Sequence, residues 1–175
     1  MKTKLLLFSL LTISSALSQA LDYKMKPGLW EVSHKTEMNG KDMSADLAKA
    51  QASMNKMPAE QRKMLEKMMK GKGVDLSGQP GKAKVCYTEK MIQKRSLMES
   101  KTNCKIENQK ELSDGVMFSF KCKDGSGQTE YHLITDNSFV GKTEMKTKRG
   151  EMIVRFDGKF LDKDCGDIQP FVVPE

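Results

Sequence analysis

From Asn103 to Leu161 apolar and polar residues alternate in short runs, broken by Ser113-Asp114-Gly115, Asp124-Gly125-Ser126-Gly127, Asp136-Asn137 and Arg149-Gly150. Turn residues recurring at intervals of roughly ten predict an antiparallel meander. By period two, the inward set reads Cys104, Ile106 and Leu112, then Val116, Phe118, Phe120 and Cys122, then Tyr131 and Leu133. Phe139, Thr143 and Met145 follow, and finally Met152, Val154, Phe156 and Phe160. Pro27-Gly28 opens an earlier strand over 29–37, on which Trp30, Val32, His34 and Thr36 share one face. Asn39-Gly40 turns the chain. A short strand is expected over 82–87, then a helical turn through Ile92 capped by Thr88, and an exposed loop over 94–102.

Between the first two strands the period changes to that of a helix. Asp42 or Ser44 can cap a segment carrying Leu47, Ala50, Met54 and Met57. Pro58 restarts it, because proline is tolerated at a first helical position and not in an interior. Over 58–70, Met57, Gln61, Met64, Leu65, Met68 and Met69 fill one arc, and Arg62, Lys63, Glu66, Lys67 and Lys70 fill the other. Gly71 and Gly73 end it. The expected fold is therefore mainly β (α+β): a curved antiparallel meander sheet or half-barrel with an amphipathic helical hairpin inserted over about 43–73. The hairpin is expected to pack its methionine stripe on the sheet.

Residues 1–20 read as a signal peptide, with Lys2 and Lys4 ahead of an apolar run beginning at Leu5 and with Ser18-Gln19-Ala20 as a cleavage site. Residues 21–175 are then one exported domain, soluble after cleavage. Without Lys2 and Lys4 the net charge falls from +7 to +5, and +4 of that lies between Asp46 and Lys72. The modest apolar content suits a core reinforced by disulfides, and the four cysteines fit two bridges. They form no C-x-x-C and have no histidine nearby, which disfavours zinc or redox chemistry. Parity puts Cys104 and Cys122 on one face of neighbouring strands, leaving Cys86 for Cys165, although the other two connectivities stay open.

The chain resembles a family of small exported bacterial proteins known as domain of unknown function 3617. The resemblance rests on Pro27-Gly28-Leu29-Trp30-Glu31, Met57-Pro58-Ala59-Glu60-Gln61-Arg62, Val85-Cys86-Tyr87-Thr88 and Asp164-Cys165-Gly166-Asp167. It implies a periplasmic location and transfers no catalytic residue.

Chemistry is sparse. His34 and His132 lie on separate strands, Gly125-Ser126-Gly127 is a turn and not a nucleophile elbow, and no carboxylate pair stands out. No enzyme activity and no cofactor are therefore expected. Basic residues without interleaved aromatics, in an exported chain, disfavour nucleic acid. The expected function is binding of a hydrophobic small molecule or an envelope protein between sheet and helices, by Trp30, Met57, Met64, Leu65, Met68, Phe118 and Phe156. An alternative is a Cu(I) site on Met57, Met64 and Met68, since thioethers are soft ligands. Ordinary amphipathic packing explains the same stripe more simply. The basic helix face also suits peripheral contact with anionic lipid. An unrecognised enzyme is the remaining alternative.

Overall fold

The computed structural model describes residues 25–76, 78–93 and 104–170. The expected signal peptide, the expected loop over 94–102 and the last residues of the C-terminal tail lie outside them. The elements are β1 (Gly28–Met38), β2 (Lys41–Asp42), α1 (Ser44–Asn55), α2 (Ala59–Lys70), β3 (Val74–Asp75), β4 (Lys82–Tyr87), α3 (Glu89–Gln93), β5 (Cys104–Glu111), β6 (Gly115–Cys122), β7 (Gly125–Thr135), β8 (Ser138–Thr147) and β9 (Gly150–Asp162).

All pairings are antiparallel, in the order β3-β4-β1-β9-β8-β7-β6-β5, with β2 extending the β4 side of β1. The meander thus runs from β5 to β9 and closes onto the first strand, while β3 and β5 remain separate edges. The sheet is not a barrel. Edge strand β5 carries Lys105, Glu107, Lys110 and Glu111 and shifts register after Glu107 near Asn108, whose φ is 49°. Charge and a bulge are the usual devices that keep an edge from recruiting another strand.

The expected inward parity holds for β6 to β9 and the first half of β5, where Cys104 faces Cys122, Val116 faces Tyr131, Thr129 faces Thr143 and Met145 faces Met152. It fails at Leu112, because the register shift in β5 sets Glu111 opposite Val116 and ends the strand before Leu112. The sheet curls toward the inward side. Tyr87 on β4 and Phe139 on β8 are three strand steps apart, about 14 Å in a flat sheet, yet their ring centroids lie 6.3 Å apart. Trp30 is fully buried at the centre, with ring centroids 5.3 Å from Phe139, 5.7 Å from Phe160 and 6.2 Å from Tyr87. Its Nε1–H donates to the Lys26 carbonyl at 2.9 Å, so the one polar group of the indole is satisfied. Met91 and Ile92 of α3 close this end of the core, and the Thr88 hydroxyl caps the helix by accepting from the Met91 amide.

Several cross-strand pairs set an aromatic ring against a glycine, among them Phe139 with Gly158, Phe156 with Gly141 and Phe120 with Gly127. A methyl at Gly158 or Gly141 would occupy the space of the facing Phe139 or Phe156 ring. These glycines let large rings lie flat over the neighbouring strand, which tightens the curl.

Both expected disulfides form. Cys104–Cys122 joins β5 to β6, and Cys86–Cys165 ties β4 to the tail after β9. The tail is held further by the Gln169 amide donating to the Lys70 carbonyl and by burial of Ile168.

The helical hairpin stands where expected, between β1 and β4, but its methionine stripe does not pack on the sheet. No residue of α1 or α2 is buried. Arg62, Leu65, Glu66, Met69 and Lys70 form the half-buried face of α2, whereas Met57, Met64 and Met68 are 39%, 74% and 48% exposed. The helix is turned by its polar anchors. Lys70 meets Asp167 at 3.0 Å and Asp75 at 3.7 Å, and Arg62 donates to the Asn55 carbonyl while pairing with Glu66. Periodicity marks an apolar arc but cannot weigh such anchors against it.

Candidate functional site: a groove on the outer sheet face

The side of the sheet away from Trp30 carries a half-open groove of about 800 Å³. Its floor comes from four adjacent strands: Ser33 and Lys35 of β1, Arg155 and Asp157 of β9, Val140 and Lys142 of β8, and Glu130 and His132 of β7. Ser44 and Leu47 of α1 line it on one side, with Pro80, Gly81 and Lys82 of the turn into β4. Two backbone bonds place these walls. The His34 amide donates to the Gly81 carbonyl at 2.7 Å, and the Met43 amide, just before α1, donates to the Thr36 carbonyl at 2.9 Å. Gln51 of α1 donates to the carbonyls of Leu76 and Gly78, fixing the helix against the loop that returns to β4.

The lining is amphipathic. Leu47, Pro80 and Val140 present apolar surface, and Val140 is 42% exposed although it is paired within β8. Lys35, Lys82, Lys142 and Arg155 set four cations around them against the carboxylates of Glu130 and Asp157. Three of the cations are oriented by acidic partners: Lys82 by Glu31 at 2.9 Å, Arg155 by Glu37 at 2.6 Å, and Lys142 by Glu144. The bond from Lys142 holds the Glu144 carboxyl below its ordinary range.

His132 anchors one wall. Its Nδ1 lies 2.9 Å from Asp114 and its Nε2 2.8 Å from Glu130, so a carboxylate engages each ring nitrogen. Hydrogen bonding to Asp114, then to Glu130, favours the imidazolium and raises the histidine above its ordinary value, while the same contact lowers Asp114. A raised histidine pKa stabilises the fold fully below about 6.5, and the contribution fades as pH climbs through the folded value. A lowered Asp114 contributes above about 3.8 and loses its effect as the solution is acidified. Thermal melts of His132→Gln against the parent protein are expected to differ most between those limits, near pH 5 to 6, with the gap narrowing by pH 8. A gap independent of pH would remove the charged pairing. With both nitrogens held, His132 has no free position from which to act as a general base, and its role here is to orient the wall.

The sequence-predicted ligand residues are not brought together. Trp30 and Phe118 are buried in the core, and the ring of Phe156 packs across Gly141 against that core although Phe156 also borders the groove. Leu65 lines a smaller cleft of about 220 Å³ between α1 and α2, with Met54, Met69 and Leu76. Met64 and Met68 lie on the exposed side of α2, and Met57, ahead of the helix, is exposed too. Among the described residues no group of three or more His, Cys, Asp or Glu side chains could hold a metal ion.

Sequence reasoning missed Lys35, Leu47, Val140, Lys142 and Arg155 as one site because they come from separate segments that only the register unites. One signal was available. Glu130 and His132 share a strand face at i, i+2, and the turn at Asp114 lies where β6 pairs back with His132.

The fold and groove define an open antiparallel β-sheet protein with a helical insert and a polar-rimmed cleft, stapled by two disulfides. Residues 25–165, more than half of the chain, match the family described as "Protein of unknown function (DUF3617)", and the chain belongs to that family. No curated protein and no solved structure matches it. No described helix is long and apolar enough to cross a membrane.

Proposed function

We propose that this is an exported, non-enzymatic binding protein that takes an amphipathic anionic small molecule, such as a fatty acid, in the groove beneath α1. The observation that carries this reading is the lining itself: exposed Val140 and half-buried Leu47 beside Lys35, Lys142 and Arg155, in a cleft of a size suited to a small ligand. An acyl chain would cover the apolar strip, and its carboxylate would meet a cation already oriented by a neighbour. The two disulfides are compatible with an oxidising compartment, and with the resemblance in the sequence they support a periplasmic location. The engaged nitrogens of His132 favour binding over catalysis.

The test is titration with a fluorescent fatty acid. Saturable binding is expected, weakened about tenfold or more by Val140→Glu, which buries a like charge against the bound carboxylate. Val140 is already exposed, so the variant keeps the fold. Equal binding by both proteins would place the ligand elsewhere.

A further inference from the structure

The outward side of α2 is unusual for a helix in a small β protein. Met64 and Met68 lie one turn apart on it and remain exposed, and Met57, two residues before the helix, is exposed as well. Large apolar side chains clustered on a free surface mark a contact. Lys63 and Lys67 of the same helix, with Lys56 and Lys72 just outside its two ends, are all exposed, and none pairs with a carboxylate among the described residues. The other basic groups of the helix differ: Arg62 is matched by Glu66, and Lys70 by Asp75 and Asp167. The inner charges of α2 are thus paired, within the helix or to the strand and tail beside it, while the outer ones have no carboxylate partner among the described residues.

We propose that this face docks on an anionic lipid surface, with Met57, Met64 and Met68 dipping below the headgroups and Lys56, Lys63, Lys67 and Lys72 meeting the phosphates. Charge selects the occupant. A neutral apolar partner would leave four ammonium groups uncompensated, whereas a sheet of anionic headgroups compensates them at any rotation about the membrane normal. Methionine suits the apolar part because its flexible thioether chain adapts to disordered acyl tails. The stripe is narrow, so binding is peripheral and reversible, and it is independent of the groove under α1.

The experiment is co-sedimentation of the oxidised protein with vesicles of phosphatidylcholine alone or mixed with phosphatidylglycerol. Binding is expected only to the anionic vesicles and is expected to fall as salt rises. Lys63→Gln with Lys67→Gln should weaken it roughly twenty-five-fold, about fivefold per lysine. Met64→Ser with Met68→Ser, which keeps the charge, should weaken it about tenfold. These side chains are exposed, and matching melts for the variants would confirm an intact fold. Val140→Glu, in the groove, should leave vesicle binding unchanged, so failure of the groove reading would not imitate failure here. The proposal is overturned if the protein stays in solution with both vesicle types, as it would were the face reserved for an acidic protein. It is equally overturned by equal binding to neutral and anionic vesicles, or by α2 variants that bind like the parent.

Discussion

Trp30→Ala is expected to lower the melting temperature by roughly ten to fifteen degrees. The indole is fully buried and touches Tyr87, Phe139 and Phe160, which come from three different strands. Truncating such a ring costs about 3–5 kcal/mol, the lost burial plus the cavity left behind, and for a chain of this size each kcal/mol shifts the midpoint by about 2–4 °C. Relaxation into the cavity is restricted. Phe139 is pinned over Gly158, and Phe160 sits across β1, so neither ring can swing inward without leaving its place on the curl. Trp30→Phe keeps most of the packing and should recover over half of the loss, forfeiting the bond to the Lys26 carbonyl. Differential scanning calorimetry of the three proteins checks this. A shift of only a few degrees for the alanine variant would mean that the ring is not the centre of the core.

The second large effect is expected from Cys86→Ala with Cys165→Ala. This bridge spans 79 residues of sequence, the other only 18. In the chain-entropy description, cross-linking over the longer span stabilises by about 4–5 kcal/mol and over the shorter by about 3 kcal/mol. The longer bridge also does structural work that the shorter does not, since it carries the tail past β4 to the Gln169–Lys70 contact that holds the end of α2. Its loss should free the tail and loosen α2, while Cys104→Ala with Cys122→Ala should leave the hairpin in place. Denaturant titration gives the ranking, and hydrogen exchange at Met69 and Lys70 reports the helix end. If the Cys104–Cys122 variant proved the weaker of the two, the tail would not have the stapling role assigned to it.

Much of the sheet was legible because alternation and turn chemistry are local. Asp124-Gly125 and Arg149-Gly150 mark strand joints on their own, and once those are placed the parity of Phe118, Tyr131, Phe139 and Phe156 follows. The pairing of Cys104 with Cys122 follows from the same register. The hairpin was legible in type and span but not in rotation. Its orientation depends on Lys70 meeting Asp75 and Asp167, five and ninety-seven residues away, contacts that carry no periodic signal. The groove was least legible. Lys35, Val140 and Arg155 each look like ordinary outward residues of their own strands, and only the pairing of β1, β9 and β8 makes them neighbours. Besides the Glu130 and His132 spacing, Val140 carried a hint, as a β-branched apolar residue at a position where the alternation calls for a polar one.

The consequence for function is a separation of faces. The curled inner side is filled at one end by Trp30, Tyr131 and α3. The outer side, beneath α1, holds the groove, and the outward side of α2 carries exposed lysines that pair with no carboxylate among the described residues. The measurement that tests this division most directly is amide chemical-shift mapping by NMR as dodecanoate is added. The account predicts shifts concentrated at Leu47, Val140, Lys142 and Arg155, with the amides around Trp30 and Phe118 unmoved. Shifts centred on Trp30 and Phe118 instead would put the ligand inside the curl and contradict it.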